Sequence, residues 1–210
     1  MNTTKGTLEI ICGGMFSGKS SELISRLERA EIAKKRCMVF KNSSDARRKT
    51  DAISTHDGRE YASIPIANNE CDKILEMTNH SVDVVAIDEI QFFNMTIIDT
   101  ISSLLNDGKR VIVSGLDMDS HGLPFGIIHI LLTMAEHITK LHAVCNVCGA
   151  DASFSQNIID GRPATFENQT QFQENTGLYE ARCRTHFFIE LPDKLSTLIL
   201  KQFNQLYTQK

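Results

Sequence analysis

One segment, CGGMFSGKSSEL, constrains the fold of this chain more than any other. It has the spacing G-x-x-x-x-G-K-[ST] and lies between an apolar run at 7–12 and a segment at 20–34 whose apolar residues recur at helical spacing. The residues that carry the spacing are Gly13, Gly18, Lys19 and Ser20. A strand, a glycine-rich turn and a helix in this order predict a phosphate-binding loop, and the alternative is a chance glycine-rich turn.

In such a loop the backbone amides of residues 14–19 turn toward a polyphosphate, because glycine allows the required dihedrals and brings no Cβ. The amino terminus of the following helix adds partial positive charge. Lys19 is expected to reach the β- and γ-phosphates, and the Ser20 hydroxyl is expected to bind Mg²⁺. The predicted ATP-binding residues of the loop are Gly13, Gly14, Met15, Phe16, Ser17, Gly18, Lys19 and Ser20.

Short β-branched runs alternate with helical segments along the first two thirds of the chain. Strands are predicted at 7–12, 37–41, 82–88 and 110–115. Helices are predicted at 20–34, 71–77, 96–105, 127–135 and 138–144, while 45–65 is predicted as a polar loop or hairpin. This alternation is typical of an α/β fold, here a P-loop (RecA-like) parallel sheet flanked by helices.

The sequence pattern changes after residue 144. The next segment is polar, bracketed by cysteines and without a long apolar run, so we predict three parts. They are a P-loop ATP-binding α/β domain at 1–144, a small zinc-bound lasso or lid domain at 145–191, and a C-terminal amphipathic helix at 192–210. The apolar stripe of that helix, expected to pack on the main body or on a neighbouring subunit, consists of Leu195, Leu198, Ile199, Phe203 and Leu206.

Two closely spaced ligand pairs bracket the small domain. Cys145 and Cys148 form C-x-x-C, and Cys183 and His186 form C-x-x-H. A lone C-x-x-C pair could be a redox pair, but a second pair of this spacing favours a tetrahedral structural Zn²⁺ site. A lobe of this size buries little apolar area, and a structural zinc contributes on the order of 10 kcal/mol. The segment between the pairs, 149–182, would form a lasso whose order depends on what it covers.

Two carboxylates end the third predicted strand, in VVAIDEIQFF. The carboxyl end of a neighbouring parallel strand lies beside a phosphate loop, so Asp88 is expected to hold the Mg²⁺ shell. Glu89, one residue later, can point at the group that attacks the γ-phosphate. In an ATP hydrolase that group is water, and in a small-molecule kinase it is a substrate hydroxyl. The alternative is a pair of solvated strand-end acids.

The charge of the chain bears on its partners and location. The net charge is −4, so the molecule as a whole has no electrostatic reason to bind nucleic acid or an anionic membrane. No apolar run is long enough to span a membrane, and the first residues lack the pattern of a signal peptide. We therefore expect a cytoplasmic protein with neither nucleic acid nor membrane as partner, in which the six cysteines are reduced, buried or metal-bound.

In this order, the phosphate loop G-x-M-F-S-G-K-S, the strand end D-E-x-Q-F-F and the C-x-x-C…C-x-x-H lasso resemble the type II thymidine kinases, a cytosolic family. The resemblance runs from about residue 8 to residue 186 and includes DARR, THDG, GLDMDSHGLPFG and YEARCRTH. It implies transfer of the ATP γ-phosphate to the 5′-hydroxyl of thymidine, or of deoxyuridine, in pyrimidine deoxynucleotide salvage. It also implies a homotetramer and feedback inhibition by thymidine triphosphate.

The resemblance implies a role for individual residues. Glu89 matches the general base, Asp88 and Ser20 match the Mg²⁺ region, and Arg47 and Gln91 match residues of the ATP site. The residues that match the nucleoside pocket are Met15, Phe92, Leu116, Phe125, Ser155 and Tyr179. Of Phe92 and Phe93, only one is expected to face the site, because neighbours on an extended segment point to opposite sides.

Several positions depart from the family pattern. Ser120 and His121 stand where the family has an aromatic residue followed by a cationic or amide one, and Asn157 replaces an arginine. Glu174 and Asn175 replace a glycine pair before the tyrosine. These departures affect the nucleoside preference more than the reaction, and restoring Ser120→Phe is expected to tighten thymidine binding.

Two other classes of protein remain as hypotheses. The first is a P-loop ATPase with a zinc ribbon, which acts on nucleic acid or as a motor subunit. It predicts a basic stripe or stacking aromatics, whereas this chain is acidic and its lasso has no lysine. The second is a nucleotide-binding regulator that has lost catalysis.

Overall fold

The computed structural model describes residues 5–43, 51–55, 58–164, 178–188 and 194–208. In chain order its strands are β1 (Thr7–Gly13), β2 (Cys37–Asn42), β3 (Ala52–Ser54), β4 (Glu60–Ala62), β5 (Ile64–Ile66), β6 (Val84–Asp88), β7 (Arg110–Gly115), β8 (His137–Leu141), β9 (Ala143–Val144), β10 (Asp151–Ala152), β11 (Phe154–Ile159), β12 (Arg162–Pro163) and β13 (Leu178–Arg182). Its α-helices are α1 (Lys19–Ile32), α2 (Asp72–Met77), α3 (Thr96–Asn106), α4 (Ile128–Met134) and α5 (Leu195–Thr208).

A six-stranded sheet in the order β5-β2-β6-β7-β1-β8 forms the main body. Every neighbouring pair in it is parallel. The predicted α/β class with a parallel sheet and flanking helices is therefore confirmed. Because the strands are parallel, the carboxyl ends of β1, β6 and β7 meet at one edge of the sheet, which is where the phosphate loop begins.

Strands β8 and β9 occupy all of residues 138–144 except His142, so the helix predicted there is wrong. Ile138, Leu141 and Val144 recur at a spacing that imitates a helical turn, but β8 pairs in parallel with β1 at the edge of the sheet. Those backbone hydrogen bonds, and the β-branched residues Ile138 and Thr139, outweigh the weak periodicity of so short a segment.

The segment predicted as a polar loop or hairpin contains both a hairpin and a strand. β3 and β4 pair antiparallel, and β5 adds the other edge strand by pairing with β2. Pro65 in β5 is compatible with this position because an edge strand leaves one row of backbone groups unpaired.

Both faces of the main sheet are covered. On the α1 face, Ile11, Val39, Ala86 and Ile112 from the strands pack with apolar residues of the helix. On the opposite face, a larger cluster joins the strands to α2, α3 and α4. This two-sided burial explains why the central strands read as nearly continuous apolar runs.

A buried carboxylate links α1 to three strands. Glu9 on β1 is 9% exposed and accepts hydrogen bonds from Arg26 Nη1 at 2.9 Å and Arg110 Nε at 2.5 Å. Arg26 also donates to Thr139 on β8 and to Glu22 on its own helix. Burial by itself raises the pKa of Glu9, but the hydrogen bonds and charges of Arg110 and Arg26 lower it overall.

We expect Glu9→Gln to lower the free energy of unfolding by about 2 kcal/mol at pH 7, because it leaves two guanidinium groups without their shared carboxylate. Since the folded-state pKa of Glu9 is lowered, this contribution should disappear as the pH falls below about 4. Urea denaturation of the wild type and the variant, at pH 7 and below about pH 4, measures the difference in the free energy of unfolding. Glu22→Gln, which breaks only the more exposed i,i+4 pair, is the control and should cost about 0.5 kcal/mol or less. Equal losses in the two variants would contradict the role of Glu9.

The small domain consists of short antiparallel strands. β9 pairs with β10, and β11 lies between β12 and β13. Its core is small and contains Ala143, Cys145, Ala152 and Ala181, with Cys183 packed against it. The division of the chain at residues 144 and 191 stays a prediction, although the first of these small strands already starts at Ala143.

The C-terminal helix contacts the main body. The ring of Phe203 on α5 packs edge-on against His129 on α4, with 4.5 Å between the ring centres. Leu198 is 6% exposed, whereas Leu195 is 48% exposed, so the apolar stripe is only partly covered by this chain. The side chain of Leu206 lies outside the described part. None of the helices in the described ranges combines the length and the apolar character that crossing a membrane requires.

Candidate active site and metal cluster

The loop between β1 and α1 requires glycine at defined positions. Gly13 has a φ of 141° and Gly18 a φ of 88°, values that disfavour any side chain. A Cβ at Gly13 would lie 2.3 Å from the carbonyl oxygen of Leu141 on β8. The backbone of the loop therefore fits closely against the edge strand, as a tight turn before a helix amino terminus demands.

Polar groups within the loop hold its shape. The Lys19 ammonium donates to the Gly14 carbonyl oxygen at 2.7 Å, and the Ser17 hydroxyl donates to the same oxygen at 2.8 Å. The backbone N–H of Met15 donates to Ser155 Oγ at 2.9 Å. This last bond differs from the expectation that all amides of residues 14–19 face a phosphate, because the Met15 amide is used by the small domain.

Asp88 lies at the carboxyl end of β6 between two polar neighbours. Lys41 on β2 is its register partner, and the Ser114 hydroxyl on β7 donates to Asp88 Oδ1. Ser114 is also the register partner of Ile11, which packs on the α1 face, so this row of side chains faces the helix that follows the phosphate loop. Asp88 is 5% exposed and Lys41 is 3% exposed.

The surroundings of Asp88 disfavour its negative charge. Burial, and to a lesser degree the charge of Glu89, raise the pKa of Asp88 to about 6, against the opposing effects of Ser114 and Lys41. A carboxylate in such a place is stabilised by an added cation.

Glu89 has a backbone conformation that is unusual for its residue type. Its φ of 54° and ψ of 43° are left-handed, and a short 3-10 helix, Ile90–Phe92, follows it. This turn redirects the chain at the strand end, so that Glu89 leaves the sheet where Asp88 finishes it.

Gln91 holds the Glu89 side chain in place. Its Nε2 donates to Glu89 Oε2 at 2.5 Å, and its Oε1 accepts the backbone N–H of Leu116 at 3.0 Å. Gln91 fits because Gly115 and Gly126 have no Cβ: one at Gly115 would lie 2.3 Å from Gln91 Oε1, and one at Gly126 would lie 2.1 Å from its backbone oxygen. Gln91 was predicted from the resemblance as an ATP-site residue, and in this structure its contacts are with Glu89 and Leu116.

The two neighbouring phenylalanines have different surroundings. Phe93 is 2% exposed and belongs to the main core. Phe92 is half-buried and packs edge-on against Phe125, with 5.6 Å between ring centres. The apolar pair Phe92–Phe125 therefore lies next to the Glu89 turn. Leu116 is 2% exposed, and its backbone N–H donates to Gln91 Oε1.

The small domain brings two more predicted pocket residues to one face. Ser155 and Asn157 on β11 pair in register with Ala181 and Tyr179 on β13, so their side chains share a side of that sheet. Ser155 on this face contacts the phosphate loop. Asn157 is 8% exposed, and its Oδ1 is buried without a hydrogen-bond partner in the described residues. Arg47, Glu174 and Asn175 lie outside the described residues.

The loop between β7 and α4 packs against the small domain. Asp119 Oδ1 accepts the backbone N–H groups of His121 and Leu123, each at 2.9 Å, which fixes the turn. A Cβ at Gly122 would lie 3.2 Å from the Phe187 ring. Ser120 is 4% exposed, as is the predicted pocket residue Ser155, so the place of Ser120 in the pocket wall stays a prediction.

Because Ser120 is buried, Ser120→Phe is also expected to lower the free energy of unfolding by about 1–3 kcal/mol, since a phenyl ring is much larger than the serine side chain that it replaces. Thermal unfolding measures this effect, and Ser120→Ala, which adds no volume, is the control. Unchanged stability would contradict this expectation, and tighter thymidine binding would support the place of Ser120 in the pocket wall.

The four predicted metal ligands converge. Their ligand atoms all lie within 4.8 Å of one another. Cys148 Sγ and Cys183 Sγ are 3.7 Å apart, and His186 Nδ1 lies 3.8 Å from Cys145 Sγ and 3.2 Å from Cys183 Sγ. Sulfur ligands about 2.3 Å from a tetrahedral Zn²⁺ lie roughly 3.8 Å apart, so this cluster fits zinc.

Local hydrogen bonds lower the pKa of two of the cluster cysteines, Cys145 and Cys183, whereas desolvation and the neighbouring Cys145 and Cys183 thiols raise the pKa of Cys148. Desolvation raises the pKa of Cys145, but hydrogen bonds from the backbone of Cys183, Val147 and Cys148 lower it to about 5 overall. Thiolate is the form that binds metal. The other three cysteines, Cys12, Cys37 and Cys71, have raised pKa values because burial disfavours their charge.

Three residues near the site had no role predicted from the sequence. Lys41 ends a predicted strand, and its charge reaches Asp88. Asp117, two residues beyond the end of β7, forms an ion pair of 2.7 Å with Lys140 on β8. Lys41 could have been identified from the sequence, because it is a charged residue at the carboxyl end of an apolar strand. Asp117 and Lys140 meet only because β8 pairs beside β1.

The sequence was also compared with models of known protein families. The family model described as Thymidine kinase matches residues 6–187. The match includes the phosphate loop, the turn at Glu89 and all four residues of the metal cluster.

Proposed function

The chain belongs to the thymidine kinase family and phosphorylates thymidine with ATP, and we propose that Glu89 accepts the proton of the attacking 5′-hydroxyl. The observation that carries this proposal is the turn at Glu89. Its left-handed backbone and the hydrogen bond from Gln91 hold a carboxylate just beyond the strand end that Asp88 closes. General acid–base catalysis needs a base within hydrogen-bond reach of the proton it removes, and a carboxylate held in a fixed place beside the strand end is suited to that role.

In this proposal the phosphate loop binds the triphosphate. Gly13, Gly14 and the residues through Ser20 supply backbone amides and a helix amino terminus, apart from the Met15 amide that bonds to Ser155. Lys19, now on the Gly14 carbonyl oxygen, exchanges that partner for the β- and γ-phosphates. Arg47 is proposed as a further phosphate contact.

Ser20 and Asp88 would hold Mg²⁺. The buried carboxylate of Asp88, flanked by Ser114 and Lys41, suits a hard cation that prefers oxygen ligands. When bound, the ion neutralises charge on the phosphate oxygens and orients the γ-phosphate for in-line attack.

The nucleoside would lie between the phosphate loop and the small domain. Met15, Phe92, Leu116 and Phe125 form the proposed apolar wall, and Ser155 and Tyr179 approach from β11 and β13. Closure of the lasso over the sugar would exclude water, so that Glu89 activates the 5′-hydroxyl and not a water molecule. Deoxyuridine is the proposed second acceptor.

The proposal includes a homotetramer, feedback inhibition by thymidine triphosphate and a cytoplasmic location, each of which follows from the family resemblance. The exposed apolar residues on α5, Leu195 and Leu200, are compatible with a subunit contact.

An assay of ADP release separates the candidate functions. ADP release that depends on thymidine or deoxyuridine supports the kinase. ADP release without any nucleoside supports the P-loop ATPase. Absence of ADP release supports a nucleotide-binding regulator. A panel of nucleosides at fixed ATP then ranks the acceptors.

A further inference from the structure

The small domain contacts the phosphate loop through one buried hydroxyl. Ser155 Oγ, on a residue that is 4% exposed, accepts the Met15 backbone N–H at 2.9 Å. A Cβ at Gly14 would lie 3.2 Å from the Ser153 carbonyl oxygen and 3.3 Å from Ser155 Oγ. Because Gly14 has no side chain, the start of strand β11 can pack closely against the phosphate loop.

Ser155 is also tied to the metal cluster. Its register partner on β13 is Ala181, which is 2% exposed. The Ala181 N–H donates to Asn146 Oδ1 at 3.0 Å, and its carbonyl oxygen accepts the Asn146 N–H at 2.9 Å. Asn146 lies between Cys145 and Cys148. A continuous set of short contacts therefore joins the cluster, through β13 and β11, to the phosphate loop.

The bond between Met15 and Ser155 lies between the proposed ATP site and the proposed nucleoside pocket. The Met15 amide belongs to the loop that would bind ATP, whereas its side chain is assigned above to the nucleoside wall. A ligand that orders β11 and β13 would also hold this amide, and with it the loop conformation. Because linkage is reciprocal, a nucleotide that fixes the loop would equally steady β11.

We propose that the Ser155 hydroxyl couples nucleoside binding under the small domain to ATP binding in the phosphate loop. Ser155 acts as a positioning residue in this role, through the backbone of Met15. The proposal rests on the kinase function for the identity of the nucleoside.

The test measures binding of Mg²⁺·AMP-PNP, a non-hydrolysable ATP analogue, by calorimetry with and without saturating thymidine. In the wild type, thymidine should tighten AMP-PNP binding about threefold to tenfold, the range expected from one net hydrogen bond. In Ser155→Ala this factor should fall to about one. Ser155→Thr, which keeps the hydroxyl, should restore it. Ser153→Ala is the matched control, because the Ser153 hydroxyl bonds to His142 and not to the loop, and it should retain the factor.

Absence of any coupling in the wild type, or full coupling in Ser155→Ala, overturns the proposal. A second measurement does not need a nucleoside. AMP-PNP alone should slow amide hydrogen exchange in β11 of the wild type and of Ser155→Thr, but not of Ser155→Ala. Equal slowing in all three proteins overturns the coupling even where ADP release depends on thymidine. Conversely, ADP release independent of any nucleoside would end the kinase proposal while this exchange result still decides the role of Ser155.

Discussion

Glu89→Gln is expected to lower kcat for thymidine phosphorylation by about 10²–10⁴-fold, because an amide cannot accept the proton of the 5′-hydroxyl. The amide oxygen can still accept the hydrogen bond from Gln91 Nε2, so the turn should keep its geometry. The affinity for Mg²⁺·AMP-PNP should therefore change by no more than about twofold, since the substitution removes no phosphate contact. Steady-state ADP release and calorimetry measure the two quantities.

The control for this variant is Glu28→Gln, on the exposed side of α1. It makes the same chemical change away from the site and should leave kcat as it is. If Glu89→Gln retained wild-type turnover, the proton would have to go to another group, and the assignment of the base would fail. A large loss of AMP-PNP affinity would instead point to a role in binding ATP.

Cys148→Ser is expected to release most of the bound zinc and to abolish thymidine phosphorylation. A structural zinc contributes on the order of 10 kcal/mol to folding. The core of the small domain has only a few small apolar residues, which cannot supply that stabilisation without the ion. The parallel sheet has its own cores on both faces, so it should stay folded. We expect AMP-PNP to bind with an affinity reduced by about threefold to tenfold, as the Met15–Ser155 bond loses its support.

Zinc content by elemental analysis, circular dichroism and ADP release together test this prediction. Cys37→Ser is the matched control, because Cys37 is a partly buried thiol on β2 outside the cluster. It should keep the zinc content and the turnover of the wild type. Undiminished zinc in Cys148→Ser would contradict the ligand set, and undiminished turnover at low zinc would contradict the structural role of the metal.

Features set by local spacing could be predicted from the sequence. The phosphate loop is defined by two glycines five positions apart and the lysine and serine that follow, and each ligand pair of the cluster by residues three positions apart. The geometry of a strand–turn–helix or of a tetrahedral ion limits what such spacings can form. The central strands β1, β2, β6 and β7 were predicted because burial on both faces makes them apolar along their length.

Features set by a distant partner could not be predicted. β8 is a strand because it pairs with β1, and the sequence of residues 137–141 does not by itself indicate that pairing. The contact between Met15 and Ser155 joins residues 140 positions apart. The burial of Ser120 likewise depends on how the loop between β7 and α4 packs on the small domain, which residue types alone do not give.

The left-handed residue at the end of β6 has a consequence for how this protein can decay. A non-glycine residue in that conformation costs on the order of 1 kcal/mol, which a glycine would avoid. Folding alone would therefore favour glycine at position 89, whereas the proposed role as a base requires an acid there. If selection for activity were lost, substitution of Glu89 by glycine would stabilise the fold. The resulting protein would be inactive but would keep the same overall structure.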